Sequence, residues 1–382
     1  MTKDGKPSDG TPSDDAAIVE SITELAPALL MTLEAFEQVQ RNMHPTRTAQ
    51  LGEMIAPFAE PLAEARTRFD ALTFPEQISR FAEQLGNSTE YALRACDGIL
   101  NPGGDQFAAM KAVRAACRAQ ELVYPLAPVL TPVSQYFLER PARENGELIN
   151  RLTEERPGER VGVLHAENDR QQRGGFSVYI PEYLDLSQPT PLVIAMHGGT
   201  GHGADMLWNW VREARTRGFI VLSPTSQQDT WSLMGEEHDL GPLLAMLEFL
   251  AGEVTLDEEH ILLTGVSDGG TYSLLAGLRE DVPFTHLAPF SGVLHPEISM
   301  SGNIRFAEGK PIYLVHGSLD WMFPIEVAHM ADAELRAAGA DLTFRPIEGL
   351  SHTYCRTEFP ALIEWFDPQL TIPTAIPQRT RE

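Results

Sequence analysis

In Gly265-Val266-Ser267-Asp268-Gly269-Gly270, a serine has a glycine two residues away on each side. The apolar run His260–Thr264 before it reads as a strand, and a helix is expected from about Thr271. In that setting a GxSxG turn forces a strained backbone that lifts the hydroxyl clear of the sheet, and a Cβ at either glycine would clash. The free N–H groups of the following helix start aim at the same point. Glycine-rich connections of no chemical consequence carry the same pattern, so the reading depends on its partners. His197-Gly198-Gly199-Thr200-Gly201 closes a second predicted strand, Leu192–Met196. Glycines there let a backbone N–H approach a substrate oxygen closely, as one half of an oxyanion hole. The stretch lacks the GK[ST] ending of a phosphate loop. Asp320 follows the predicted strand Pro311–Val315, where it can orient a histidine or else cap the helix starting near Pro324. His352 follows the last predicted strand, Leu342–Ile347. A lone histidine is more often a surface or hydrogen-bonded residue than a catalyst. Here Ser267, Asp320 and His352 come in the order nucleophile, acid, base, each at a strand end, with the glycine loop upstream.

These residues must be positioned by their elements. Phe176–Ile180 alternates, and Leu192–Met196, Phe219–Leu222, His260–Thr264 and Pro311–His316 are short apolar runs. Phe284–Phe290 and Leu342–Ile347 are less clean members of the set. Helical stretches lie between them, at Leu243–Leu250, Thr271–Leu278 and Ile325–Ala338. Buried strands alternating with helices make a mostly parallel sheet with helices on both faces, so the fold class is α/β, and loops beyond the carboxyl ends of its strands hold the reactive groups. Residues 16–150 read differently. Ile18, Ile22, Leu25, Leu29, Leu33 and Phe36 step by three and four, and similar stripes recur around Leu51–Phe69, Ile78–Leu100 and Phe107–Leu122. Pro27, Pro45, Pro57, Pro61, Pro75 and Pro102 punctuate or kink four or five helices. The predicted division is therefore a disordered tail at 1–15, an N-terminal all-helical domain at 16–150, an α/β domain at 155–370 and a loose tail at 371–382.

The stretch from Met196 to Gly203, the Gly265–Gly270 turn, His316-Gly317 with Asp320 and Pro324, and Glu348-Gly349 with His352 and Cys355 resemble the phospholipase/carboxylesterase family of α/β-hydrolases. That family includes acyl-protein thioesterases. Dienelactone hydrolases and polyhydroxybutyrate-depolymerase-like or feruloyl esterases are related but match less closely. The resemblance covers about 175–366 and implies an α/β-hydrolase sheet, Ser267 as nucleophile, His352 as base and Asp320 as its orienting acid. It also implies the backbone N–H groups of Gly199 and Asp268 as the oxyanion hole, and a small-molecule ester as substrate. Asp268 stands where this family commonly has Gln, which adds negative charge beside the serine. An N-terminal helical region of this size is not usual in the family. It reads either as a cap over the active site or as a packing domain, the latter including a homodimer through the N-terminal helices. Trp231 and Trp321, in loops on the catalytic side, either line an apolar pocket or pack beneath their loops.

Composition excludes several other functions. The 382 residues carry 29 Lys and Arg against 54 Asp and Glu, a formal charge of −25. A surface this negative repels phosphate backbones, so nucleic acid is not an expected partner. Cys96, Cys117 and Cys355 are too few and scattered for a disulfide framework. His197, His202 and His238 have no metal-ligand spacing, so neither metal nor organic cofactor is expected. With no secretory signal at its polar start and no run approaching a membrane span, a cytoplasmic location is expected. The reading is a serine carboxylesterase acting through a Ser-His-Asp triad and an acyl-enzyme. A thioesterase or lysophospholipase-like lipase is the nearest alternative, since the same triad cleaves both bonds. A prolyl-oligopeptidase-type peptidase would need a propeller that the helical half cannot supply. A catalytically dead binding module would have no need of all three residues.

Overall fold

A computed structural model describes residues 14–105, 107–154 and 160–373. Within 160–373 the apolar runs form eight strands: β1 Gly162–Ala166, β2 Phe176–Ile180, β3 Thr190–Met196, β4 Ile220–Pro224, β5 Leu256–Val266, β6 His286–Phe290, β7 Pro311–Gly317 and β8 Asp341–Ile347. They make one sheet in the order β1-β2-β4-β3-β5-β6-β7-β8. β2 runs antiparallel to β1 and β4, and every pairing from β4 to β8 is parallel. β1 was not anticipated from sequence. Its residues are half-exposed and only weakly alternating, as befits an edge strand. β3 and β4 are buried throughout, and β5 is buried from Ile261 to Gly265, because helices cover both faces of a parallel sheet.

Leu192, Ile194, Leu222 and Leu263 on one sheet face pack with Leu243 and Leu247 of helix Leu240–Ala251 and Leu274 of helix Asp268–Gly277. The latter helix begins three residues before the predicted Thr271. β5 delivers the chain straight into it, so the turn at Ser267 is as tight as a strand–helix connection can be.

The chain forms two compact units. One comprises residues up to Phe36 together with Gly52–Leu126, and the other Glu37–Leu51 with Ala127–Glu382. This differs from a division at 150. In the first unit, helices Glu76–Leu100 and Ala108–Val123 lie close through small residues: a Cβ on Gly98 would sit 3.0 Å from that of Ala112. The hydroxyl of Ser88 donates to the Ala119 carbonyl at 2.8 Å. Leu25, Leu29 and Leu33 of the predicted stripe are buried, on a helix running from Asp14 to Arg41 through Pro27. By length and composition alone this helix could cross a bilayer. Its buried stripe is instead used in packing. Residues 1–13 and 374–382, most of the two predicted tails, lie outside the described residues.

Residues 37–51 and 127–153 group with the sheet because of three arginines on helix Val211–Arg217. Arg212 makes two hydrogen bonds to the Glu37 carboxylate, at 2.9 and 2.7 Å. Arg215, 1 % exposed, donates to the carbonyl of Ser134 at 2.9 Å. Arg217 pairs with Glu139 at 2.5 Å. A buried guanidinium requires such partners, and the flanking segments supply several of them. Burial alone would raise the Glu37 pKa, but Arg356 and Arg212 overcome it and hold the carboxyl at about 2 against an ordinary 4.5.

A depressed carboxylate pKa stabilises the fold fully above the unfolded-state value and loses that contribution as pH falls toward the folded one. Glu37→Gln is therefore expected to cost about 1.5–3 kcal/mol at pH 7. The gap from wild type should narrow as pH falls from 4.5 toward 2. Urea-unfolding midpoints of both proteins from pH 7 to 3 measure this, and a gap that widens in acid refutes it.

Candidate active site

Ser267 sits between the end of β5 and helix Asp268–Gly277 with φ 56° and ψ −118°. That conformation is rare for an L-residue, and the glycines around it provide the space it requires. A Cβ on Gly265 would lie 2.5 Å from the Gly269 carbonyl carbon. One on Gly269 would lie 2.5 Å from the His197 oxygen and 2.6 Å from that of Met196. The turn is thus pressed against the end of β3, which brings the glycine loop next to the serine. The Ser267 N–H is tied to the Phe290 carbonyl of β6 at 2.9 Å.

Three sequence-predicted residues meet here. Ser267 Oγ lies 2.9 Å from His352 Nε2, and His352 Nδ1 lies 2.8 Å from Asp320 Oδ2. The serine end is partly open and the aspartate side chain is fully buried. Asp320 faces the histidine but does not cap the helix, which has Pro324 at its N-cap and no side-chain cap. Oδ1 accepts the N–H groups of Met322 and Phe323 at 2.9 and 2.8 Å within the turn before helix Ile325–Ala337, and Oδ2 faces the histidine. Burial would raise the Asp320 pKa, but the hydrogen bond to His352, the Phe323 N–H and nearby His316 hold it below 3.8. The loops bearing Asp320 and His352 are joined by hydrogen bonds from Leu319 N–H to the Leu350 carbonyl (2.8 Å) and from Gly349 N–H to Ser318 Oγ (2.9 Å).

The glycine loop passes over Ser267. A Cβ on Gly198 would be 3.4 Å from that of Ser267, and one on Gly199 would be 2.6 Å from Asp268 Oδ2. Among the described residues, no acceptor in the chain takes the N–H of Gly199 or Asp268. The loop has its own supports. His197 Nε2 accepts the Ser226 N–H at 3.1 Å, which leaves Nδ1 to donate to the Gly198 carbonyl at 2.7 Å. Arg173 bonds the Gly201 carbonyl at 2.6 Å and that of Ser226 at 3.2 Å. Sequence reasoning missed both supports; an isolated arginine in a turn carries no signal of such a role. His202 accepts the Ala204 N–H and caps helix Gly203–Met206, while His238 bonds the Glu236 carbonyl.

Of the two tryptophans, only Trp321 faces solvent. It is 52 % exposed, its ring 6.4 Å from that of His352, with Leu319 and Met322 exposed beside it. Trp231 does not line open space. It is 3 % exposed, stacks on Tyr272 at 5.3 Å and donates its indole N–H to the His197 carbonyl at 2.7 Å. A buried indole N–H needs an acceptor, and the glycine-loop carbonyl provides one, so Trp231 packs beneath the loop as a buttress.

Residues 243–368 match the family model described as phospholipase/carboxylesterase. That match covers part of the α/β unit and none of the N-terminal helices. Acyl-protein thioesterase 1 of Gibberella zeae is 25 % identical over 217 residues, which are 48 % of this chain and 92 % of that protein. Its namesake from Neurospora crassa is 22 % identical over 218 residues, 48 % and 89 % of the two chains. Acetyl xylan esterase from Aspergillus awamori superposes with a TM-score of 0.44 at 16 % identity, over 54 % of this chain and 98 % of that one. The S-formylglutathione hydrolase of Agrobacterium tumefaciens gives 0.44 at 16 %, over 55 % and 95 %.

Asp320→Asn preserves side-chain shape but removes the carboxylate charge facing His352 Nδ1. Turnover is expected to fall by roughly 10⁴-fold with folding intact. Near-normal kcat in a folded variant would take Asp320 out of the site.

Proposed function

We propose that this chain cleaves carboxylic esters with Ser267 as nucleophile, His352 as general base and Asp320 as the acid that orients it. The observation carrying the proposal is the unbroken hydrogen-bond chain from Ser267 Oγ through both ring nitrogens of His352 to Asp320 Oδ2, with 2.9 and 2.8 Å links. His352 Nε2 takes the Ser267 proton as Oγ attacks the ester carbonyl, and the Asp320 carboxylate stabilises the imidazolium. The N–H groups of Gly199 and Asp268 receive the oxyanion. The tetrahedral intermediate then collapses. The alcohol departs with the proton from His352, leaving an acyl-Ser267, and water deprotonated by the same histidine hydrolyses it. The family match to phospholipase/carboxylesterase supports the reaction class. Thioester cleavage is a second reading, favoured by relatives that are named acyl-protein thioesterases.

Substrate preference follows from two features of the rim. The exposed Trp321, Leu319 and Met322 favour an apolar group beside His352. The Asp268 carboxylate, held by the Thr230 hydroxyl at 2.5 Å against the Gly199 backbone, disfavours an anionic one. Neutral esters with apolar acyl or alcohol groups are therefore the assigned class.

Hydrolysis of p-nitrophenyl esters from acetate to palmitate, run beside Ser267→Ala, tests the assignment. Turnover that disappears in a folded Ser267→Ala variant is expected; residual activity at the wild-type level overturns it. Matched oxygen and sulfur esters decide between the two bond types. Asp268→Asn should raise the kcat/KM ratio of p-nitrophenyl hemisuccinate to p-nitrophenyl acetate by roughly tenfold, equivalent to about 1.4 kcal/mol. An unchanged ratio would remove Asp268 from selection.

A further inference from the structure

His352 lies in a stretch with little regular structure of its own. Between the end of β8 at Ile347 and the short turn Arg356–Glu358, no strand or helix fixes the backbone. Its geometry depends on contacts with the elements on either side. On the Asp320 side these are the two hydrogen bonds to Leu319 and Ser318 already described. On the far side they come chiefly from residues more than three hundred positions earlier. Thr353 Oγ1, adjacent to the histidine, donates to the Gln40 carbonyl at 3.2 Å. Arg356 reaches Glu37 at 3.1 Å and Glu213 at 3.4 Å. Glu37 is held in turn by both terminal nitrogens of Arg212, whose Nε donates to the Tyr136 carbonyl at 3.1 Å. Between Thr353 and Arg356, the buried Tyr354 accepts the indole N–H of Trp210 at 2.9 Å.

We propose that the segment from Glu37 to Gln40 is a positioning strap for the His352 loop, clamping it through Arg356 and Thr353. The proposal rests on the reading of His352 as the base. Glu37 and Gln40 touch no reacting atom; they act through the loop. One carboxylate shared between two arginines fixes both: Arg212 anchors Glu37 to helix Val211–Arg217, and Arg356 passes that anchor to the loop. Charge-assisted, multiply bonded pairs of this kind hold geometry as well as adding energy. Two contacts, one at each end of 353–356, resist rotation of the loop where one would only tether it. Moving a catalytic imidazole by about 1 Å can cost roughly 10²-fold in rate. The end of the first helix would then be part of the catalytic apparatus, and an N-terminal truncation past Gln40 would impair turnover independently of any cap.

The test uses the full chain. Glu37→Gln, which keeps size and loses charge, should lower kcat by about tenfold or more with KM unchanged, at temperatures where circular dichroism reports a folded protein. Glu37→Asp should recover part of that loss. Thr353→Val, which removes only the hydroxyl donor, should give a smaller fall of the same kind, and it stands in if Glu37→Gln does not fold. The downfield proton resonance of the His352 Nδ1–H bonded to Asp320 should broaden or shift in both variants, a signature that mere loss of stability in a folded protein would not move. Normal kcat and an unmoved resonance in folded Glu37→Gln and Thr353→Val overturn the strap. Failure of a fluorophosphonate probe to label wild-type Ser267 overturns instead the reading on which it rests.

Discussion

The whole site depends on one strained residue. Ser267 holds φ 56° and ψ −118°, a conformation that costs on the order of 1–3 kcal/mol and persists only when its surroundings over-determine it. The surroundings do so through close packing and hydrogen bonding. Gly265 and Gly269 let the turn touch the ends of β3 and its own helix, and the Ser267 N–H is locked to β6. The sheet order follows the same need. β5 lies between β3 and β6, so the glycine loop reaches the serine from one side and the tether to Phe290 from the other.

The remaining groups are held by contacts between loops. His197 and Arg173 brace the glycine loop from the side of β4, and Trp231 braces it from below, stacked on Tyr272, whose hydroxyl donates to Glu237 at 2.8 Å. Asp320 divides its two oxygens between the turn and the histidine. His316, fully buried, bonds the Phe323 carbonyl at 2.8 Å with the same nitrogen that lies 3.5 Å from Asp320. Burial pushes its pKa down. Each chemical group is thus one step removed from a buried aromatic or a buried charge pair. Ser267 is partly open and Trp321 is exposed beside it.

Much of this was legible in the sequence because it is local. A strand of four to seven apolar residues ending in glycine, serine or histidine announces both the element and the loop beyond it. β2 was placed to the residue, and the interior strands to within a few positions at their ends. The Ser267–Asp320–His352 order was readable because each residue sits at a strand end, where the sheet brings distant positions together. β1 was illegible because an edge strand need not be apolar. Trp231 and Trp321 could not be separated from sequence. Both are aromatic residues in loops on the same side, and only packing against Tyr272 distinguishes the buried one.

By itself, the sequence determined the element types, the parallel sheet, the strained serine turn and the residues able to do chemistry. Periodicity and glycine spacing are properties of neighbouring residues, and steric exclusion acts on them directly. Tertiary structure alone decided which unit each helix segment joins and what holds the histidine loop. Glu37 and Arg356 are 319 residues apart. Nothing in either local sequence announces the other, since an ion pair depends on distance in space and on the burial that removes competing water. The same holds for Arg212, Arg215 and Arg217, which read as ordinary surface charges until the fold encloses them.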